Sequence, residues 1–325
     1  MIGWIRLISR IGDICFGERW VLAEYLVGTG GWAYFNVPDK SSLRAYSGVF
    51  NFVEINYTFY EYPDKRTVER WRRTVPEDFT FAVRCHQDLT HRIGLKPVDE
   101  AYAVWGRMIT YCRILETPFL VLETPASYGF DGQTIEAARG FLSSVSQKGI
   151  RLVWEARSEV TPELVGLMQD YDVVHSVDLS KETPSFTSDV VYSRLFGKGK
   201  HNAYQFSDDE LVEIDEKALK TGAKIVAMSY HGIRMSSDAV RFMRYKKTGN
   251  FPAVTSFTGV ESARAVLSED ACFPSPKQAL IEDQGWKVVD ATPQKRVHLC
   301  EWLSRIPEKT YENVDEVVNA LEVAR

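Results

Sequence analysis

Nine polar residues occupy alternate positions of short apolar runs, the spacing that turns side chains to one face of a β-strand. In Val53-Glu54-Ile55-Asn56 the apolar pair takes one side, and Glu54 and Asn56 take the other. The same alternation groups Arg84 and His86, Glu123, Glu155 and Arg157, Asp178, and Arg194. Four carboxylates and three guanidinium groups would then share one interior. Buried charges must pair, bind ions or titrate. Carboxylates so placed can serve as general acid, general base or metal ligand, and arginines can hold an anion. Guanidinium groups compete with a divalent cation for the same oxygens, and only His86, His91 and His231 lie near. An anionic guest with no resident cofactor is the expectation; a divalent metal stays open. The competing reading is a closed salt-bridge network, with Glu54 and Glu155 paired to Arg84 and Arg157 and no ligand at all.

The elements that must position these residues form a series. Apolar runs at Tyr25–Trp32, Phe52–Phe59, Phe79–His86, Phe119–Thr124, Arg151–Arg157, Val173–Leu179, Val190–Gly197 and Lys224–His231 read as strands. Helical patterns fall between most of them, at Ser41–Phe50, Lys65–Thr74, Asp99–Leu115, Gln133–Gln147, Pro162–Tyr171 and Asp208–Thr221, with Ser236–Lys247 after the last. Ser180–Asp189, after the sixth strand, reads as a loop. Strands alternating with helices pair in parallel, and eight units close a (β/α)8 TIM barrel of the α/β class. Its active site lies where the strands end, here at Trp32, Asn56, His86, Glu123, Arg157, Asp178, Arg194 and His231.

The chain has 325 residues, 45% of them hydrophobic, enough for one barrel with additions at both ends. Residues 1–24 place Trp4, Leu7, Ile8, Ile11, Ile14 and Cys15 on one stripe and read as an amphipathic helix, not a signal peptide. Residues 25–248 form the barrel, and 249–325 a linker with a small helical domain, its helices at Lys277–Gln284, Arg296–Ile306 and Val314–Val323. The net charge of −5 argues against binding nucleic acid by bulk charge. The basic cluster Arg241–Lys247 reads as a solvated helix face. Five scattered cysteines without a CxxC pair suit reduced thiols in the cytoplasm, and no apolar run is long enough to cross a membrane.

Several motifs also match a known pattern. Gly28-Thr29-Gly30-Gly31-Trp32-Ala33-Tyr34 resembles the GTSGWxY opening of the YecE-like, or domain of unknown function 72, family. Val53-Glu54-Ile55-Asn56-Tyr57-Thr58-Phe59-Tyr60 with Pro63 resembles its VEINxTFYxxP signature. Ala82-Val83-Arg84, Thr90-His91, the Glu155/Arg157 pair and Tyr192-Ser193-Arg194 with Gly197 resemble its AVK, TH, ExR and YxRxHG motifs. The resemblance spans residues 25–248 and implies a TIM barrel without supplying a reaction. The chain departs from the pattern at Arg84, Glu123, Phe196 and Ser229-Tyr230-His231, so a strand-seven histidine would need His231 or His201 in its place. The tail weakly resembles a second small helical domain of unknown function, number 2795, through Phe273-Pro274, Leu303–Pro307 and Tyr311 with Val314–Val318.

The expectation for function is an enzyme, a hydrolase or lyase. It would act on a phosphate- or carboxylate-bearing small molecule or a nucleotide. Glu54, Glu155, Asp178 and His91 are the candidate acid–base groups. Arg84, Arg157 and Arg194 would clamp the anion, with Trp32, Tyr34, Asn56, Tyr60, Glu123 and His231 completing the substrate site. Two alternatives remain: a nucleic-acid-processing barrel of endonuclease type, and a non-catalytic binding module whose tail docks a partner. The oligomeric state is not legible.

Overall fold

The computed structural model describes residues 23–324 apart from 36, 40, 146 and 148, and the expected N-terminal helix lies outside them. Eight parallel strands form one sheet: β1 (Glu24–Thr29), β2 (Phe52–Ile55), β3 (Thr80–Arg84), β4 (Phe119–Thr124), β5 (Arg151–Ala156), β6 (Val174–His175), β7 (Val190–Leu195) and β8 (Ile225–Tyr230). Their order, β6-β5-β4-β3-β2-β1-β8-β7, leaves β6 and β7 to close the ring. They do so through one bridge, Val177 to Ser193, and a 3.2 Å bond from the Arg194 amide to the Val177 carbonyl. β6 is far shorter than the predicted Val173–Leu179 run. After His175 the chain turns into a loop whose Ser185 amide donates to His175 Nδ1 at 3.1 Å. The loop expected at Ser180–Asp189 is there in place of a helix.

Helices α1 (Ser42–Ser47), α2 (Tyr57–Tyr60), α3 (Lys65–Thr74), α4 (Asp99–Leu115), α5 (Gly132–Ser144), α6 (Pro162–Asp170), α7 (Asp208–Lys220) and α8 (Met235–Thr248) flank the sheet. Local chemistry sets their ends. Thr161 caps α6 with Pro162 in its first turn, and Ser207 with Glu210 makes a full capping box on α7. Phe52–Phe59 is not one strand: β2 stops at Ile55 and α2 begins at Tyr57. The Thr58 hydroxyl donates to the carbonyls of Ile55 and Arg84 at 2.9 and 2.7 Å, satisfying two strand-end acceptors and turning the chain.

The strand period of two builds the interior in layers. Leu26, Phe52, Ala82, Val121, Val153, Val174, Tyr192 and Ala227 form an apolar floor inside the barrel. Two residues further along their strands, about 6.6 Å nearer the mouth, stand Glu54, Arg84, Glu123, Glu155, Ser176, Arg194 and Ser229. The intervening residues, such as Val53, Val83, Leu122, Trp154 and Met228, pack under the helices in the main core.

The tail folds around its own core of Val266, Leu280, Val289, Leu299, Leu303, Tyr311 and Val317. It is not purely helical. Helices α9 (Val260–Asp270), α10 (Lys277–Gln284), α11 (Leu299–Leu303) and α12 (Val314–Val323) pack with two antiparallel strand pairs, β9 (Ser275–Pro276) with β12 (Thr310–Tyr311) and the hairpin β10 (Val288–Thr292) with β11 (Lys295–His298). Two expectations are corrected. Gly249–Phe273 contains α9, whose buried Ala263, Val266 and Leu267 meet the tail core. Arg296–Ile306 begins as a strand, because Arg296 and Val297 pair with Asp290 and Val289.

Candidate functional site

The polar layer opens into a cavity of about 1220 Å³ at the C-terminal ends of the strands. Arg194 is its hub. Its Nε donates to Glu54 Oε1 at 3.1 Å with Nη2 3.0 Å from the same oxygen, and its Nη1 donates to Glu123 Oε2 at 2.6 Å and also to Glu155 Oε2. Arg84 donates to Glu123 and, at 3.2 Å, to Asn56 Oδ1. Arg157 reaches Glu123 at 3.0 Å and Glu155 at 3.1 Å. Glu54, Arg84, Glu155 and Arg157 therefore belong to one cluster, joined through Arg194 and Glu123. Arg157 pairs with Glu155 as expected, but Arg84 takes Glu123 and Arg194 takes Glu54.

Three carboxylates face three guanidinium groups, so the cluster is neutral as a unit. Burial alone would push Glu54 up, but Arg194, His231 and Arg84 override it and hold the carboxyl well below its usual range. Glu155 behaves likewise: burial is outweighed by Arg194 and Arg157. Tyr192 completes Glu54 by donating its hydroxyl to Oε2 at 2.8 Å, and burial beside that carboxylate pushes the phenol up. Fully enclosed, Glu54 touches no cavity surface and meets the lining only through its neighbours, Arg194 foremost.

The cavity wall comes from the loops. Asn56 Nδ2 donates to the Gly30 carbonyl at 2.9 Å, tying the first two loops together. Gly30 must be glycine: a Cβ there would stand 2.3 Å from His231 Nδ1 and 2.8 Å from Asn56 Nδ2. His231 shares a 2.9 Å hydrogen bond with the Ser229 hydroxyl and lies 3.6 Å from Glu54. Its ring stacks on Phe196 with centroids 4.7 Å apart, so an imidazole stands against the very position where the resemblance lacks its histidine. Burial, with Arg194 close by, holds His231 below its ordinary value. The Arg84 guanidinium carbon sits over the Phe59 ring, 3.7 Å from its centroid, and Phe59 meets the His91 ring edge-on at 5.1 Å.

His91 sits in the helical turn Asp88–Ile93, its Nδ1 2.9 Å from the Thr90 hydroxyl and its Nε2 4.0 Å from Glu123. Burial pushes it down, Glu123 opposes, and Arg84 and Arg157 push further down, leaving it neutral near pH 7. A neutral imidazole facing a cavity can accept a proton. The other expected residues divide. Tyr34, Asn56, Tyr60, Arg84, Glu123, Glu155, Arg157, Arg194 and His231 line the cavity with His91.

Trp32, Asp178 and His86 are outside the lining. Trp32 packs edge-on against Trp71 at 5.3 Å. Asp178 accepts from the amides of Ser180 at 3.0 Å and Phe196 at 3.1 Å, which makes it the clamp of the β6 and β7 loops. His86 stacks on Tyr62 at 3.8 Å because β3 has already ended at Arg84 and the alternation lapses. His201, named as a stand-in for the strand-seven histidine, lines the wall after β7; sequence reasoning missed Lys181, Asn202, Ile233 and Arg234, which line it from the loops after β6, β7 and β8. Loop residues carry no periodicity, so only their position after a strand could have flagged them. Among the described residues no group of three or more His, Cys, Asp or Glu has a metal-holding arrangement, since the nearby carboxylates are taken by arginine.

No described helix is long and apolar enough to cross a membrane. In comparisons with known proteins, 101 residues are 32% identical to the UPF0759 protein YunF of Bacillus subtilis, covering 29% of this chain and 34% of that protein. A 60-residue stretch is 35% identical to the UPF0759 protein YecE of Escherichia coli, covering 18% of this chain and 22% of that protein. The matched stretches thus span about a third and about a fifth of those relatives. A crystal structure of a DUF72 family protein from Thermotoga maritima superposes with a TM-score of 0.56 at 18% identity, covering 69% of this chain and 99% of that one. One from Enterococcus faecalis gives 0.53 at 16% identity, covering 69% and 97%. These likenesses show the fold, a TIM barrel. The sequence pattern described as "Protein of unknown function DUF72" matches residues 26–246, two-thirds of the chain, and the chain belongs to that YecE-like family.

Proposed function

We propose that the strand-end cavity is the active site of an enzyme that takes a phosphate- or carboxylate-bearing small molecule or nucleotide. The observation that carries this reading is Arg157. Its side chain is 41% exposed on the cavity wall, while its inner edge is fixed to Glu123 and Glu155. A guanidinium held on one edge and open on the other is preorganised to receive an anion. Lys181 lines the same wall. His91, neutral and at the surface of the cavity, is the acid–base group. Glu155, held ionised, stabilises positive charge developing nearby, and Glu54 and Arg194 keep the floor rigid. Asp178 drops out of the catalytic set because its oxygens are engaged by backbone amides.

The endonuclease-like alternative draws less support. The rim cations Lys181 and Arg234 are already paired, with Asp178 at 3.3 Å and with Glu269, so no unbroken positive rim leaves the cavity. Crystals soaked in tungstate, a heavy phosphate mimic, and separately in manganese test the reading. Anomalous density against Arg157 supports it. Manganese bound by Glu123, Glu155 or His91, with no tungstate at Arg157, overturns it.

A further inference from the structure

Exposed apolar side chains are unevenly placed on this molecule. Among the described residues the most exposed large one is Val323, near the end of α12, at 89%. The next three are Tyr34 at 87%, Ile233 at 62% and Tyr60 at 59%, and all three line the mouth of the strand-end cavity. They follow β1, β8 and β2, which are consecutive around the barrel. The rest of the mouth is of another character. His91, Arg157, Lys181 and His201 follow β3, β5, β6 and β7. The arc after β2, β1 and β8 thus carries the exposed apolar and aromatic groups, its one cation there, Arg234, being paired with Glu269, and the remaining arc is cationic and polar, over an ionic floor.

Large apolar groups kept in water at one rim mark a surface that a ligand covers. The cavity, about 1220 Å³, is also far too large for a bare anion. Two of the three exposed groups are tyrosines, whose flat faces stack on planar rings and whose hydroxyls tolerate water when the site is empty. We infer that the ligand carries a planar aromatic ring as well as its anionic group, in a molecule of nucleotide size. The ring lies against Tyr34 and Tyr60, and the anion crosses to Arg157. This rests on the anion-site reading above and narrows its substrate class. Phe59 is not part of the ring site, because Arg84 already covers its face.

Calorimetric titration of the full chain with AMP, ribose 5-phosphate, adenosine and hexyl phosphate tests the inference. AMP should bind about tenfold tighter than ribose 5-phosphate. In the double variant Tyr34→Ala/Tyr60→Ala that advantage should vanish while ribose 5-phosphate binds as before. Both tyrosines are exposed, so a matching melting temperature checks that the variant is folded. Equal affinity of AMP and ribose 5-phosphate for the unaltered protein overturns the ring site and leaves the anion site standing. Hexyl phosphate binding as tightly as AMP also overturns it, because an apolar chain would then suffice. Adenosine binding as tightly as AMP sinks the anion site and keeps the ring. Failure of all four to bind overturns both.

Discussion

Two arginine–carboxylate networks are buried in this chain, and they differ in one respect that matters. The lumen network joins Arg84, Arg157 and Arg194 to Glu54, Glu123 and Glu155, and it meets the cavity. The second lies where the tail packs on the barrel. There Arg241 bonds to Asp208 at 2.7 Å, Asp238 at 3.0 Å and the Phe206 carbonyl at 2.6 Å, and Arg296 of β11 bonds to Asp208 at 2.6 Å. Gln205 extends that seam: its Oε1 accepts from the Val288 amide and its carbonyl contacts His298 Nε2. Every ion of the second network is buried, whereas Arg157 shows part of its side chain to the cavity. Composition alone does not separate a site from a seam; an edge left open to a cavity does.

The largest expected effect comes from removing either hub. Arg194→Ala leaves three buried carboxylates short of a partner, and Arg241→Ala leaves Asp208 and Asp238 so. Each should cost roughly 3–5 kcal/mol in chemical denaturation, the usual cost of stranding a buried charge. A loss below about 1 kcal/mol for Arg194→Ala would mean that the lumen network is solvated and the resemblance between the two networks is false.

The networks should also answer pH in opposite directions. Arg194 and its neighbours hold Glu54 and Glu155 below the ordinary carboxylate value of 4.5, against burial. Their stabilisation is complete above that value and is lost as pH falls below it toward their lowered values. Burial pushes Asp238 from 3.8 up to about 7, against the opposing pull of Arg241. Its contribution is complete below 3.8 and is lost as pH rises through about 7. Melting curves between pH 4 and 8 should therefore lose a downward slope in Asp238→Asn and keep it in Glu54→Gln. An unchanged slope in Asp238→Asn would show that the seam carries no such titration.

A smaller effect separates floor from wall. Tyr192→Phe removes the 2.8 Å donor to Glu54 without exposing anything, and should cost about 1–2 kcal/mol. Tyr34→Phe, at the exposed rim, should leave the melting temperature unchanged. Equal losses from both would place Tyr34 in the fold rather than at the mouth.

The sequence carried the barrel well where a period could be read. β4, α3 and α4 match their expected bounds, and Glu54, Arg84, Glu123, Glu155 and Arg194 share the expected face. It failed where a period ends or a distant segment intervenes. His86 lies beyond the end of β3, so its parity meant nothing. Arg241 reads as a solvated helix residue, yet it is 2% exposed, because Asp208 of α7 and Arg296 of the tail close over it. Lys246, on the same expected solvated face, is paired with Asp215 at 2.9 Å. Arg194 was counted as one inward arginine among three; only the geometry shows that three glutamates converge on it.

The central claim, that the lumen network serves a ligand where the seam serves only the fold, falls most directly on Arg157. Arg157→Lys keeps the charge and removes the planar fork, and titration with inorganic phosphate beside a thermal melt reads both consequences at once. The expected result is a loss of about 1–3 kcal/mol in phosphate affinity with an unshifted melting temperature. A large fall in melting temperature with phosphate binding unchanged would contradict it, and would make the lumen network a second seam.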